Sequence, residues 1–117
     1  MDFRAVYEKS EFRGGNGMEW KLEEDIICCE VCVYEYVIQK NDTNIKSCIE
    51  KIQQHASIYQ RDAGSIREKI QNIKAWLEEL YVENTIPISA RPKASNQMKK
   101  VLITCLENAG CLRAGEN

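Results

Sequence analysis

Groups that carry enzyme chemistry are scarce in this sequence. Its single histidine is His55, and it has no P-loop, dinucleotide-binding fingerprint or zincin motif. A lone histidine near the end of an amphipathic helix is typically a surface or packing residue. The consecutive acids Glu23, Glu24 and Asp25 would point in different directions on a helix, which suits the electrostatics of a helix start better than a metal site. The sequence therefore predicts a binding protein and no enzyme.

Long apolar runs are also missing. No stretch approaches the roughly 20 apolar residues that cross a bilayer, and the start MDFRAVYEKSEFR has acids where a signal peptide needs an apolar segment. These absences predict a cytoplasmic protein with no membrane partner. The 117 residues, of which 44% are hydrophobic and 29% charged, suit one globular domain with its own core.

Zinc-finger spacing is absent from the six cysteines. Cys28 and Cys32 share a helix face whereas Cys29 points elsewhere, so one helix does not easily present all three thiols to one metal. A zinc site would need a fourth ligand from Cys48, His55, Cys105 or Cys111. In a reducing compartment, free thiols behave as small buried hydrophobes. We expect core cysteines, with no metal and no cofactor.

The strongest helical signal spans residues 65–82, SIREKIQNIKAWLEELYV. Ser65 followed by Glu68 predicts a capping box at its start. Apolar residues recur at three- and four-residue steps, which predicts one buried stripe. The stripe consists of Ile66, Ile70, Ile73, Leu77, Leu80 and Tyr81. The opposite face carries Arg67, Gln71 and Lys74, with Lys69 and Asn72 on its flanks. We expect this polar face to point into solvent.

Helical spacing predicts three more helices. Residues 21–39 form two apolar stripes, although the β-branched and aromatic run VCVYEYVI leaves a strand as the alternative. The second stripe is Ile27, Val31, Tyr34 and Ile38, and we expect this helix to be largely enclosed. Residues 43–56 form another helix, and Ser95 caps the last one, which ends near Gly110. Its buried stripe is Met98, Val101, Leu102, Cys105 and Leu106.

These elements predict an all-α fold, a small bundle of about four helices. The pair 43–56 and 65–82 is helix-turn-helix-like in outline, with a longer connection than the tight motif. Pro87 and Pro92 favour a loop, with room for a short β element near 85–90. We expect a flexible arm over residues 1–17, a single helical domain over 18–110, and a flexible tail over 111–117.

Charge is unevenly distributed although the net charge is only −2. Six acids and one lysine lie between Glu19 and Gln39, whereas eight basic residues and five acids lie between Arg61 and Lys100. The stretch from Arg91 to Lys100 has four basic residues and no acid. An anionic partner would therefore meet the second half of the chain.

A family resemblance covers about half of the chain, from Trp20 to Leu77. It consists of W-K-L-E-E at Trp20, an apolar helix with Tyr34 and Tyr36, a second helix, and S-I-R-E-K-I-Q-N-I-K. The most specific part is the run Lys69, Ile70, Gln71, Asn72 and Ile73. The sequence resembles the amino-terminal domains of McrA-type, modification-dependent HNH restriction endonucleases. The resemblance implies recognition of double-stranded DNA, often with modified cytosine, without the separate HNH domain that cuts.

Two functions are therefore predicted. In the first, the chain is a small DNA-binding domain whose central helix reads base edges while basic residues near the last helix neutralise phosphates. The helix residues are Arg67, Lys69, Gln71, Asn72 and Lys74, and the phosphate contacts are Arg91, Lys93, Lys99 and Lys100. In the second, the chain is a helical protein-interaction module, such as a phage-encoded or defence-associated adaptor or inhibitor. The acidic first half and the short length favour this second function.

Overall fold

The computed structural model describes residues 20–55, 58, 61–92 and 96–112, and these residues form four helices. Helix α1 spans Leu22–Cys32 and continues directly as a π-helical segment, Val33–Ile38. Helices α2, α3 and α4 span Ile45–Gln53, Ala63–Glu79 and Asn96–Asn108. The all-α prediction is confirmed, and within these ranges no strand is present, near 85–90 or elsewhere. The predicted arm, the cap at Ser95 and most of the predicted tail lie outside the described residues.

Side-chain caps fix where two of the helices begin. Helix α2 starts after Asn44, whose side-chain oxygen accepts a hydrogen bond of 2.8 Å from the Ser47 amide. Helix α3 starts after Asp62, whose carboxylate accepts a 2.7 Å hydrogen bond from the Ser65 amide. The predicted capping box at Ser65 is therefore wrong, because the helix already begins at Ala63. The negative charge of Asp62 also interacts favourably with the positive end of the helix dipole.

The aromatic and β-branched run after α1 is helical, so the strand alternative is wrong. Gln39 donates its amide to the Tyr34 carbonyl over 2.9 Å, and Asn41 donates to the Glu35 carbonyl over 2.8 Å, which closes the wide turn. Lys40 takes the left-handed conformation at this end, with φ of 50°. Tyr36 is fully buried, and its hydroxyl donates a 2.9 Å hydrogen bond to the Thr43 carbonyl. Tertiary packing thus outweighs the strand preference of these side chains.

Helix α1 lies at the centre of the molecule, where it packs against each of the other three helices. Its cysteines are core residues as predicted, since Cys28, Cys29 and Cys32 are fully buried. The stripes predicted for α3 and α4 are also buried, apart from the last two residues assigned to α3. The buried members are Ile66, Ile70, Ile73 and Leu77 on α3, and Met98, Val101, Leu102, Cys105 and Leu106 on α4.

The end of α3 differs from the prediction. The helix stops at Glu79, so Leu80 is half-buried and Tyr81 is 96% exposed. Tyr81 has a φ of 58°, and the amides of Tyr81 and Val82 donate to the Glu78 and Leu77 carbonyls over 3.1 and 2.8 Å. This is a Schellman motif with tyrosine at the position that usually carries glycine. The turn ends the helix before the apolar stripe does.

Candidate functional site

Lys69, predicted to flank a solvent-facing polar surface, lies in the interior. It is 8% exposed, its ammonium is 2.8 Å from the Asp25 carboxylate, and it stands 4.6 Å from the centre of the Trp20 ring. Helical geometry explains the error, because a residue three positions after Ile66 and four before Ile73 shares their face. Sorting side chains by polarity assigned Lys69 to the wrong side of α3. It is therefore not available to DNA in this fold.

A second ion pair lies beside the first. The Arg61 guanidinium binds the Glu24 carboxylate in bidentate fashion, with hydrogen bonds of 2.9 and 2.8 Å, and lies 4.4 Å from the centre of the Trp20 ring. Burial would raise the pKa of Glu24, but the hydrogen bonds from Arg61 and the Lys21 amide hold it below its usual value. Burial raises the pKa of Asp25, and Lys69 counters only part of that rise. These pairs join the start of α1 to α3 and to Arg61 just before it, and removal of one partner would leave a buried charge unpaired.

Lys74 also makes internal contacts. Its ammonium donates hydrogen bonds of 3.0 and 2.7 Å to the carbonyls of Ile86 and Ile88. The segment that follows α3 contacts this helix at a second point, because the Arg91 amide donates a hydrogen bond of 3.1 Å to the Gln71 carbonyl. The segment thus lies along α3 and covers part of the face that was predicted to be free.

The remaining predicted DNA contacts are divided between exposed and engaged side chains. The Arg91 guanidinium pairs with Glu68 over 2.6 Å at the surface, and Lys99 lies 3.4 Å from Glu79 and 4.7 Å from the centre of the Trp76 ring. Gln71 and Asn72 are half-buried, and the side-chain amide oxygen of Asn72 is buried without a hydrogen-bond partner among the described residues. Arg67 and Lys100 are exposed, and Lys93 lies outside the described residues.

An open groove lies between α1 and α2, and we call it the α1–α2 groove. It has a volume of about 370 Å³. Its lining residues are Ile27, Glu30, Val31, Tyr34, Glu35, Lys51, Gln54 and His55. Ile27 and Val31 are half-buried, whereas Tyr34 is 53% exposed and Ile38, one turn further along, is 46% exposed. The stripe that we expected to be enclosed is therefore open at the surface.

The buried carboxylate of Glu35 links the two sides of the groove. It lies 2.9 Å from the Lys51 ammonium and accepts hydrogen bonds of 2.9 and 3.3 Å from the side chains of Thr43 and Asn41. The hydrogen bond from Lys51 lowers the pKa of Glu35, against the effect of burial, and the bonds from Thr43 and Asn41 lower it further. The carboxylate therefore stays ionised at neutral pH and holds α2 against the π-helical segment.

Sequence reasoning identified the residues of this groove but not its exposure. The spacing of Ile27, Val31, Tyr34 and Ile38 placed them on one stripe. Whether a neighbouring helix covers such a stripe depends on tertiary packing, which one sequence does not give. Here α2 covers only one side of it.

A smaller cavity of about 190 Å³ lies over the end of α3, between Ala75, Trp76, Glu79 and Pro92. The indole N–H of Trp76 is buried there without a hydrogen-bond partner in the described part of the chain.

Across the residues that the structure describes, no three histidine, cysteine or acidic side chains are placed to hold a metal ion. None of the described helices is both long and apolar enough to span a membrane.

Comparison with known protein families, with characterised proteins and with solved structures finds no match to this chain.

Proposed function

We propose that the protein is a helical protein-interaction module and that the α1–α2 groove, extended by Ile38, binds the partner. The observation that carries the proposal is the open stripe on the central helix. Three large hydrophobic side chains of the described residues are strongly exposed, and two of them, Tyr34 and Ile38, lie on this stripe. Contiguous exposed apolar surface beside polar residues is typical of protein-binding sites.

The groove has the features of a binding surface that is formed before the partner arrives. Tyr34 supplies a large, rigid side chain with few rotatable bonds, and tyrosines of this kind often dominate binding energies. The Glu35–Lys51 ion pair, at 2.9 Å, holds α2 against the π-helical segment and so fixes the shape of the groove. Burying Tyr34 and Ile38 would supply most of the affinity, while the polar rim would set the orientation of the partner.

DNA binding is the second candidate, and fewer side chains are available for it than the sequence suggested. Of the predicted contacts, Lys69 and Lys74 are engaged inside the protein and Arg91 and Lys99 pair with acids. Arg67 and Lys100 support the DNA hypothesis because they are exposed and carry no ion pair within the described ranges. Two such cations would give weak, salt-sensitive phosphate binding without sequence reading.

The two functions are separated by a pair of double variants. Tyr34→Ser with Ile38→Ser alters the groove, and Arg67→Ala with Lys100→Ala removes the two predicted DNA contacts that are exposed without an ion pair within the described ranges. We expect the groove variant to lose protein association and the cation variant to keep it, whether the associated protein is a second copy at high concentration or another protein captured by a tagged chain. Tyr81→Ser is the control for an exposed tyrosine elsewhere. Binding of duplex DNA at about 50 mM salt that only the cation variant loses would overturn the proposal.

A further inference from the structure

The two rims of the α1–α2 groove have complementary chemistry. On the α1 side the rim carries Glu30, an exposed acid with no ion pair within the described part of the chain. On the α2 side it carries hydrogen-bond donors, Lys51, Gln54 and His55. The Lys51 side chain keeps 51% of its surface exposed although its ammonium pairs with Glu35 behind it. The Glu30 rim therefore only accepts hydrogen bonds, whereas the α2 rim can donate them.

A two-fold axis along the groove would bring each rim against the opposite rim of a second copy. A rotation about such an axis leaves each residue of the second copy at the same height along α1 as in the first copy. It also exchanges the two sides of the groove. Glu30 of each copy would then face the donor rim of the other, and Tyr34 would meet its own equivalent close to the axis. Self-complementarity of one patch is the requirement of a two-fold, isologous interface.

We propose that the groove binds a second copy of this chain, with parallel α1 helices across a two-fold axis. This inference rests on the proposed function and names the partner of the same surface. The apolar seam is Ile27, Val31, Tyr34 and Ile38, which spans roughly 15 Å of helix. Four apolar side chains from each copy make a small specific interface, so we expect a weak dimer that forms at high protein concentration.

The test is sedimentation equilibrium of the full chain between about 10 µM and 1 mM. We expect a monomer–dimer equilibrium, weakened at least tenfold by Tyr34→Ser and by Ile38→Ser. Glu30→Lys should weaken dimerisation as strongly, because the new lysine of each copy would be repelled by Lys51 on the opposite rim of the other copy. Glu78→Lys makes the same change of charge at an exposed position of α3 outside the groove and should leave the equilibrium unchanged.

A charge exchange tests the register without depending on a loss of binding. Glu30→Lys and His55→Glu should each dimerise poorly alone, whereas an equimolar mixture should form heterodimers with an affinity within about threefold of the wild type. Rescue of this kind does not arise from misfolding of either variant. A dimer that the groove variants do not change, or a mixture that stays monomeric, would overturn the proposed pairing.

The second copy and the broader interaction function fail in different ways. A chain that is monomeric at every concentration, yet retains another protein that Tyr34→Ser loses, would overturn the second copy and leave the interaction function standing. A monomeric chain whose captured proteins are the same with and without Tyr34→Ser would overturn both.

Discussion

The ammonium of Lys69 lies 2.8 Å from the buried carboxylate of Asp25, and this ion pair joins α3 to α1 in the interior of the protein. A lysine in a run of polar residues on a helix is ordinarily a solvent-exposed side chain. Here its charge is satisfied by an acid near the start of the central helix, beside the ring of Trp20. The cation is therefore engaged inside the fold, which removes one of the predicted DNA contacts.

Removing one member of this pair should strongly destabilise the protein. Lys69→Ala leaves the Asp25 carboxylate buried without its partner, and we expect a loss of about 3–5 kcal/mol in the free energy of unfolding. Urea denaturation followed by circular dichroism measures it. Lys100→Ala is the control, because it removes an exposed lysine and should change stability by less than about 0.5 kcal/mol. A loss below about 1 kcal/mol for Lys69→Ala would show that the pair is not buried as described.

Lys74→Ala should loosen the segment that lies along α3. The substitution leaves the carbonyls of Ile86 and Ile88 without the ammonium that they accept from, at an expected cost of about 1–3 kcal/mol. Hydrogen exchange should rise over residues 82–92 more than in α1. Arg67→Ala, one heptad earlier on the same helix, is the matched control and should leave exchange unchanged. Equal exchange in both variants would contradict the role assigned to Lys74.

Tyr81→Gly should stabilise the protein. Tyr81 has a φ of 58°, a conformation that costs about 1–2 kcal/mol for a residue with a Cβ atom, and its side chain is 96% exposed. Glycine removes that cost but adds freedom to the unfolded chain, so we expect a net gain of about 0.5–1 kcal/mol. Gly110 has a φ of 77° at the equivalent position of α4, and Gly110→Ala should lower stability by a similar amount. A Tyr81→Gly variant less stable than the wild type would contradict the cost assigned to the left-handed conformation of Tyr81.

Stability should fall in acid partly through Glu35. The pKa of its carboxyl in the folded protein lies below the usual value of 4.5, so the folded state binds fewer protons than the unfolded state in this range. The stabilising contribution is therefore complete above about pH 4.5 and is lost as the pH falls through the lowered pKa. Glu35→Gln should be less stable than the wild type at pH 7, with a difference that shrinks towards pH 3 in urea denaturation. Glu78→Gln, the same change at an exposed position, is the control and should differ from the wild type by less than about 0.5 kcal/mol at pH 7.

Much of the fold follows from periodic patterns in the sequence. The stripes of α3 and α4 and the burial of the α1 cysteines were predicted because helical spacing and apolar character determine them. The starts of helices were less certain, since Asp62 and Ser65 are both suitable caps. The end of α3 was missed because a tyrosine in the left-handed conformation has no sequence signal.

The candidate site was harder to predict than the fold. Lys69 and Lys74 have the same character in the sequence as Arg67, and only the positions of Asp25 and of the Ile86 and Ile88 carbonyls separate buried cations from exposed ones. The open groove follows from the way α2 packs on α1, which is a tertiary relationship. Periodicity therefore gives which side chains share a face, and not what covers that face.

Amide chemical-shift mapping of the isotope-labelled protein tests the central claim most directly. As the protein concentration rises, or as a captured partner is added, we predict shifts confined to residues 27–38 of α1 and the π-helical segment and to residues 51–55 at and just after the end of α2. Duplex DNA added at low salt should leave those amides unchanged. Shifts that cluster around Arg67 and Lys100 on addition of DNA, with the groove amides unmoved in every experiment, would contradict the account.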